Sequence, residues 1–119
     1  MTKILAVDQD LYVLECYKEL FSKVGFDTHT ADDAMSAIAK FGEVKPDVVI
    51  LDLELPGGGG KGVLDRLRNI FMSKVPVLFA TTNPETVLDL CDDPDVYIVK
   101  KEFHNQVLPI TIKKILKLA

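Results

Sequence analysis

The sequence predicts an α/β fold built on a doubly wound parallel sheet. Two observations carry that prediction. Short apolar runs alternate with amphipathic stretches five times along 119 residues, and the central run Val48-Val49-Ile50-Leu51 is apolar throughout. An unbroken apolar run of this length marks a strand buried on both faces, as in the middle of a parallel sheet. Regular strand–helix alternation calls for right-handed crossovers that place helices on both faces of that sheet.

The elements follow in order. Residues 3–7 are apolar after Lys3 and end at Asp8, which reads as a buried strand. A helix is predicted over residues 10–24, with Asp10 as its N-cap, and Leu14, Tyr17, Leu20, Phe21 and Val24 on one stripe. Gly25 stops it. Phe26, Thr28 and Thr30 alternate with Asp27 and His29, the pattern of a more exposed strand. A second helix is expected over residues 32–41, with Ala34, Ile38 and Phe41 inward and Gly42 at its end. Pro46 and Asp47 lead into the third strand, residues 48–51. Pro56 and the four glycines at 57–60 cannot continue it.

A third helix is expected over residues 63–71, burying Val63, Leu64, Leu67, Ile70 and Phe71, then a fourth strand over 75–80. Asn83 and Pro84 make an N-cap and first-turn proline for a short helix to about residue 90. The fifth strand is residues 96–99, and a last helix closes the pattern. Pro109 requires that helix to begin near Asn105 or later. Leu108, Ile112, Ile115 and Ala119 face inward, while Val107, Ile110 and Leu116 spread beyond that face, which fits either a contact surface, for example in a dimer, or the start of a longer helix.

One domain over residues 1–119 is expected. Hydrophobic residues at 48% and charged residues at 27% match a soluble globular protein. A net charge of -4 argues against a nucleic-acid surface. Apolar runs fall far short of the ~18 residues of a membrane span, and residues 1–7 lack a signal-peptide layout. A cytoplasmic chain with Cys16 and Cys91 reduced is the expectation.

Polar residues recur at the carboxyl ends of the strands: Asp8-Gln9-Asp10, Asp52, Thr81-Thr82 and Lys100-Lys101. A parallel sheet gathers all these ends on one edge, where open α/β sheets place their ligands. Alone, Asp52 reads equally as a loop cap. Together, carboxylates, hydroxyls and ammonium groups point to a phosphoryl site holding a divalent cation. Mg²⁺ needs only one or two carboxylates and keeps several waters. A carboxylate can form an acyl-phosphate, while a lysine and a hydroxyl neutralise and orient the phosphoryl oxygens. His29 and His104 have no partner at ligand spacing, and Asp92-Asp93-Pro94-Asp95 reads as a solvated turn.

These residues resemble the receiver domain of two-component response regulators over essentially the whole chain. The resemblance rests on Ile4-Leu5-Ala6-Val7-Asp8, Pro46-Asp47-Val48-Val49-Ile50-Leu51-Asp52, Leu55-Pro56-Gly57, Pro76-Val77-Leu78-Phe79-Ala80-Thr81 and Tyr97-Ile98-Val99-Lys100. It implies a flavodoxin-like sheet of five strands in the order 2-1-3-4-5 with five helices. It implies that Asp52 accepts a phosphoryl group from a histidine kinase or phosphotransfer protein. Asp8, Asp52 and the backbone carbonyl of Glu54 would hold Mg²⁺. Thr81 and Tyr97 would be the switch pair, and Lys100 would meet the phosphate. Glu54 and Asn83 stand where the family tunes the lifetime of the phosphoryl group.

The chain also departs from that pattern. Gln9 replaces a second acidic metal contact, so any Mg²⁺ ligation there is uncharged. Lys101 replaces the proline that follows the family's lysine. The interval from Thr81 to Lys100 is short, which shortens the helix opened by Asn83. Two other functions compete: a pseudo-receiver that binds partners without phosphate, and a phosphatase in which Asp8 and Asp10 form a DxD pair. Tyr12 fits the phosphatase pattern poorly.

Overall fold

The computed structural model describes residues 1–55, 59–82, 93–101 and 107–118. Their elements are β1 (Lys3–Val7), α1 (Leu11–Ser22), β2 (Asp27–Ala31), α2 (Ala34–Val44), β3 (Val48–Asp52), α3 (Gly59–Asn69), β4 (Val77–Thr81), β5 (Val96–Lys100) and α4 (Val107–Ile115). The five strands pair in parallel in the order β2-β1-β3-β4-β5. The predicted fold class and strand order both hold. The short helix expected after Asn83 lies outside the described residues.

Side-chain alternation divides the core into two layers. Ile4 and Ala6 of β1, Val48 and Ile50 of β3 and Leu78 and Ala80 of β4 pack with Tyr17 and Phe21 of α1 and Leu108 and Ile112 of α4. Leu5, Val7, Val49, Leu51, Val77 and Phe79 point the other way, onto Ala34, Ala37 and Phe41 of α2 and Val63 and Leu67 of α3. The central strands are apolar along their middles because both layers bury them. Val48, Val49, Ile50 and Leu51 are all fully buried.

Local chemistry sets the helix ends. Asp10 caps α1 as expected, accepting the Tyr12 N–H at 2.9 Å. Asp33 and Ser36 form a capping box that starts α2. That helix does not end at Gly42. It runs on to Val44, and Lys45 closes it in the left-handed region at φ 54°. A Cβ at Gly42 would lie 3.4 Å from the Phe71 ring, an ordinary contact, so the position does not require glycine. Phe71 in turn packs edge-on against Phe41, with ring centroids 5.0 Å apart.

Helix α3 starts four residues earlier than expected and ends at Asn69. Its end is closed by wide bonds: the N–H groups of Ile70 and Phe71 both donate to the Arg66 carbonyl, and the Ser73 N–H donates to that of Leu67. Met72 then takes φ 55°, and Ile70, expected inside, is 69% exposed.

Arg68, at the end of α3, ties that helix to the start of β5. Its guanidinium donates to Asp93 Oδ2 at 3.0 Å, the Ser73 carbonyl at 3.2 Å and the Asp95 carbonyl at 3.3 Å. Burial raises the Asp93 pKa, but the Asp95 N–H and the Arg68 hydrogen bond and charge outweigh it, so the net shift is downward. A depressed carboxyl pKa contributes stability above its unfolded value and loses it as pH falls through the folded value. Arg68→Ala should therefore cost about 1–2 kcal/mol at neutral pH, and the deficit should shrink below about pH 4. Thermal melts across that range check it, and a deficit independent of pH would contradict the ion-pair account.

Candidate functional site

Asp8 and Asp52 are the only buried charged residues among those described, at 1% and 7% exposure. Each continues an alternation that faces the α1 and α4 layer: Ile4, Ala6, Asp8 on one strand and Val48, Ile50, Asp52 on another. Asp8 stays in the sheet through its own N–H, which donates to the Ala31 carbonyl at 3.2 Å. Its Oδ1 accepts the Asp10 N–H at 2.9 Å, so it also shapes the turn into α1. Asp52 is the last residue of β3, opposite Ala80 of β4. Its Oδ1 accepts the Glu54 N–H at 3.3 Å, which folds the Leu53-Glu54 turn back toward the carboxylate.

An ammonium group joins the two carboxylates, and it is carried by the residue after the expected Lys100. Lys101 Nζ lies 2.8 Å from Asp8 Oδ2 and 3.3 Å from Asp52 Oδ1. The expected residue, Lys100, ends β5 with an exposed side chain, in register with Thr81. Alternation explains the difference. Val99 pairs with Ala80 and packs in the α1 and α4 layer, whereas Val96 packs in the other. Counting on from Val99, Lys101 faces the same side as Asp8 and Asp52, and Lys100 faces the opposite side. The Lys101 N–H extends the ladder, donating to the Thr81 carbonyl at 3.0 Å. The Lys100–Lys101 peptide is trans, as are all peptides among the described residues.

Electrostatics fix the charge states. Burial lowers the Lys101 pKa, but hydrogen bonding and attraction from Asp8, then Asp52, carry it above its ordinary value. The ammonium therefore stays charged. Beneath the carboxylates lies Tyr17, fully buried and stacked on Phe21 at 5.7 Å. Burial first, then the charges of Asp8 and Asp52, push its phenol far above the usual range. Tyr17 reads in the sequence as one more core residue of the α1 stripe, and nothing there signals that it lies under the site.

Gly60 is the other feature that sequence reading misses. It lies in the first turn of α3, and its N–H donates to the Leu53 carbonyl at 3.1 Å. A Cβ on Gly60 would lie 2.6 Å from the Asp52 carbonyl oxygen and 2.8 Å from the Phe79 ring. In the sequence it is indistinguishable from the other three glycines of the run.

The remaining expected residues hold looser places. Thr81 is partly exposed, one residue beyond the partner of Asp52. Tyr97 sits on β5 opposite Leu78 and is 37% exposed. Glu54 and Gln9 are exposed. Asn83 lies outside the described residues.

The donor set suits a small hard cation. Asp8 Oδ2 is buried and accepts no hydrogen bond of good geometry, so only the Lys101 charge compensates it. No group of three His, Cys, Asp or Glu side chains able to hold a metal occurs among the described residues. Two carboxylates with backbone oxygen and water fit Mg²⁺ and do not fit a closed structural metal site.

Comparison with known proteins gives a consistent picture. The family described as the response regulator receiver domain matches residues 4–113. The DNA-binding response regulator MtrA of Mycolicibacterium paratuberculosis is 38% identical over 101 residues, covering 82% of this chain and 44% of that protein. The transcriptional regulatory protein CpxR homolog of Haemophilus influenzae is 32% identical over 98% of this chain and 51% of its own length. The chain thus spans about half the length of these relatives. Among solved structures, the Thermotoga maritima response regulator TrrA in complex with Mg(2+)-BeF superposes with TM-score 0.83 at 31% identity, covering 97% of this chain and 99% of that one. The Vibrio cholerae chemotaxis protein CheY4 superposes with TM-score 0.84 at 25% identity, covering 97% of this chain and 98% of that one. With its sheet order, its paired carboxylates and a family match over nearly its full length, this chain belongs to the response regulator receiver domain family.

Proposed function

We propose that this chain acts as a single receiver module that accepts a phosphoryl group on Asp52 and passes the signal on by a change of conformation. The observation that carries this is the buried pair Asp8 and Asp52, bridged by the partly buried Lys101 ammonium. Two carboxylates brought together out of water are costly unless their charge is used.

In the reaction, an Asp52 carboxylate oxygen attacks the phosphorus of a phosphohistidine on a kinase or phosphotransfer protein. The new O–P bond forms as the N–P bond breaks, and the histidine leaves with the bonding pair. Mg²⁺, held by Asp8, Asp52 and the Glu54 backbone carbonyl, would neutralise charge on the phosphoryl oxygens. Lys101 would pair with one of those oxygens, and the Thr81 hydroxyl would approach another. Phosphorylation adds about −1.5 to −2 charge at pH 7. That charge draws Thr81 inward and lets the exposed Tyr97 ring follow, biasing an existing two-state equilibrium. The exposed Val107 and Ile110 of α4 support a contact surface for a second copy or an output partner. Turnover of an outside substrate is no part of this reading.

Incubation with acetyl phosphate and Mg²⁺ tests it. The expected result is an alkali-labile phosphoryl group on the peptide that contains Asp52. Absence of both this label and any beryllofluoride-induced spectral change would overturn the reading.

A further inference from the structure

We propose that this chain associates head to tail with a second copy of itself. The apolar tip that follows α3 in one copy enters the cavity between the starts of α1 and α2 in the next. The tip lies at the amino edge of the sheet and the cavity at the carboxyl edge, so the two surfaces face opposite ways. The contact needs no phosphoryl chemistry.

Away from β5, α4 and the chain ends, six large apolar side chains among the described residues are exposed, and they fall into two groups. Ile70, Phe71 and Met72 follow the last turn of α3 at 69%, 40% and 78% exposure. Phe71 is anchored on Phe41, which leaves Ile70 and Met72 to form the tip. Met72 holds φ 55°, a conformation that glycine takes most readily. A large apolar side chain is thus held in solvent where local preference favours none. The second group, Leu11, Tyr12 and Met35, belongs to the first turns of α1 and α2. Beside it opens a cavity of about 260 Å³, lined by Leu11, Leu14, Thr30, Ala31, Asp32 and Ser36. A cavity of roughly 150 Å³ already admits a benzene-sized group, so this one has room for a methionine or isoleucine side chain.

Charge selects the partner. Residues 9–15 and 30–36, around the cavity, carry Asp10, Glu15, Asp32 and Asp33 and no Lys or Arg. Residues 66–74, around the tip, carry Arg66, Arg68 and Lys74 and no Asp or Glu. Arg68 is engaged with Asp93, and the exposed Arg66 and Lys74 flank the tip. Unlike ends of two copies therefore attract and like ends repel. Because the two surfaces differ, the contact is heterologous, and each copy keeps one free end for the next. A contact this small is weak and shows only at high protein concentration.

Sedimentation of the full chain over a concentration series tests this. Wild type is expected to grow in mean mass beyond a dimer, and to do so less at high salt. Met72→Gly combined with Ile70→Asp removes the tip, and Leu11→Asp puts a charge at the cavity, in a first helical turn that tolerates one. Each is expected to weaken association about tenfold or more. Met72→Gly alone should melt no lower than wild type, since glycine takes the left-handed conformation freely, so its weaker association would not reflect a weaker fold. Mixed in equal amounts, the tip variant and the cavity variant should form a dimer and nothing larger, because one keeps the cavity and the other the tip. Ile110→Asp, on the exposed face of α4, should associate like wild type. A wild type that stays monomeric or stops at a dimer overturns the proposal. So does a mixture of the two end variants that stays monomeric, and so does association lost in Ile110→Asp but kept in both end variants.

Discussion

Gly60→Ala is expected to cost about 3 kcal/mol of stability, lower the melting temperature by about 10 °C and slow acetyl phosphate labelling of Asp52. The added methyl carbon would lie 2.6 Å from the Asp52 carbonyl oxygen, 2.8 Å from Phe79 Cε1 and 3.2 Å from Leu53 Cα. Two of these three contacts are to backbone and cannot be relieved by a rotamer change. Either α3 tilts away from β3 or the peptide that carries the phosphoacceptor moves. The Phe79 contact is different, because a ring edge can be removed. Gly60→Ala combined with Phe79→Leu should regain part of the lost stability, since the clash with the ring goes. It should not regain the labelling rate, since the clash with the peptide of Asp52 remains. Equal recovery of both in the double variant would mean that Gly60 matters only for packing. A Gly60→Ala variant that melts like wild type would show that the close approach is not a constraint.

That glycine also shows where sequence reading stops. Four identical residues in a row read as a loop. The two that belong to α3 are distinguished only by what they approach, which is a tertiary fact. The same limit applies at the other end of the site. Asp8 and Asp52 are legible because each ends an unbroken apolar run, and burial on both faces leaves no doubt about which strand end they occupy. Lys100 and Lys101 end a strand at the sheet edge whose residues are only partly buried, so the run itself does not tell which lysine turns inward. Register decides it: Val99 opposite Ala80 puts Lys101 on the carboxylate side. The alternation Val99, Lys101 was available in the sequence, but its phase relative to Asp52 was not.

Elsewhere the misreadings share one cause. Gly42 suggests a stop, but a capping box at Asp33 and a left-handed Lys45 define α2. Ile70 and Phe71 fit the apolar stripe of α3, yet the helix ends at Asn69 with an i→i−5 bond to Arg66 and leaves them largely exposed. Helix existence follows from hydrophobic period, whereas helix ends depend on a few local hydrogen bonds that compete nearly evenly with continuation.

Asp52→Asn is expected to abolish phosphoryl labelling while leaving the fold at least as stable as wild type. The amide has no carboxylate oxygen to form an acyl-phosphate, so labelling should be absent rather than slow. The stability argument runs the other way. Asparagine keeps a carbonyl oxygen where Asp52 Oδ1 now accepts the Glu54 N–H and the Lys101 ammonium, both at 3.3 Å. What it removes is one of two buried negative charges that share a single cation. Relief of that repulsion and of the desolvation cost should offset the weaker attraction to Lys101 and leave a gain of up to about 1 kcal/mol. Thermal melts without Mg²⁺ measure this directly. A loss of more than about 2 kcal/mol would instead make the carboxylate mainly a cap for the Leu53-Glu54 turn. Residual labelling would place the acceptor on another residue, with Asp8, which shares Lys101 with Asp52, the first to test. A stable, unlabelled Asn variant would show that the chain keeps a charge its fold does not need, and phosphoryl transfer is the chemistry at this edge of the sheet that does need it.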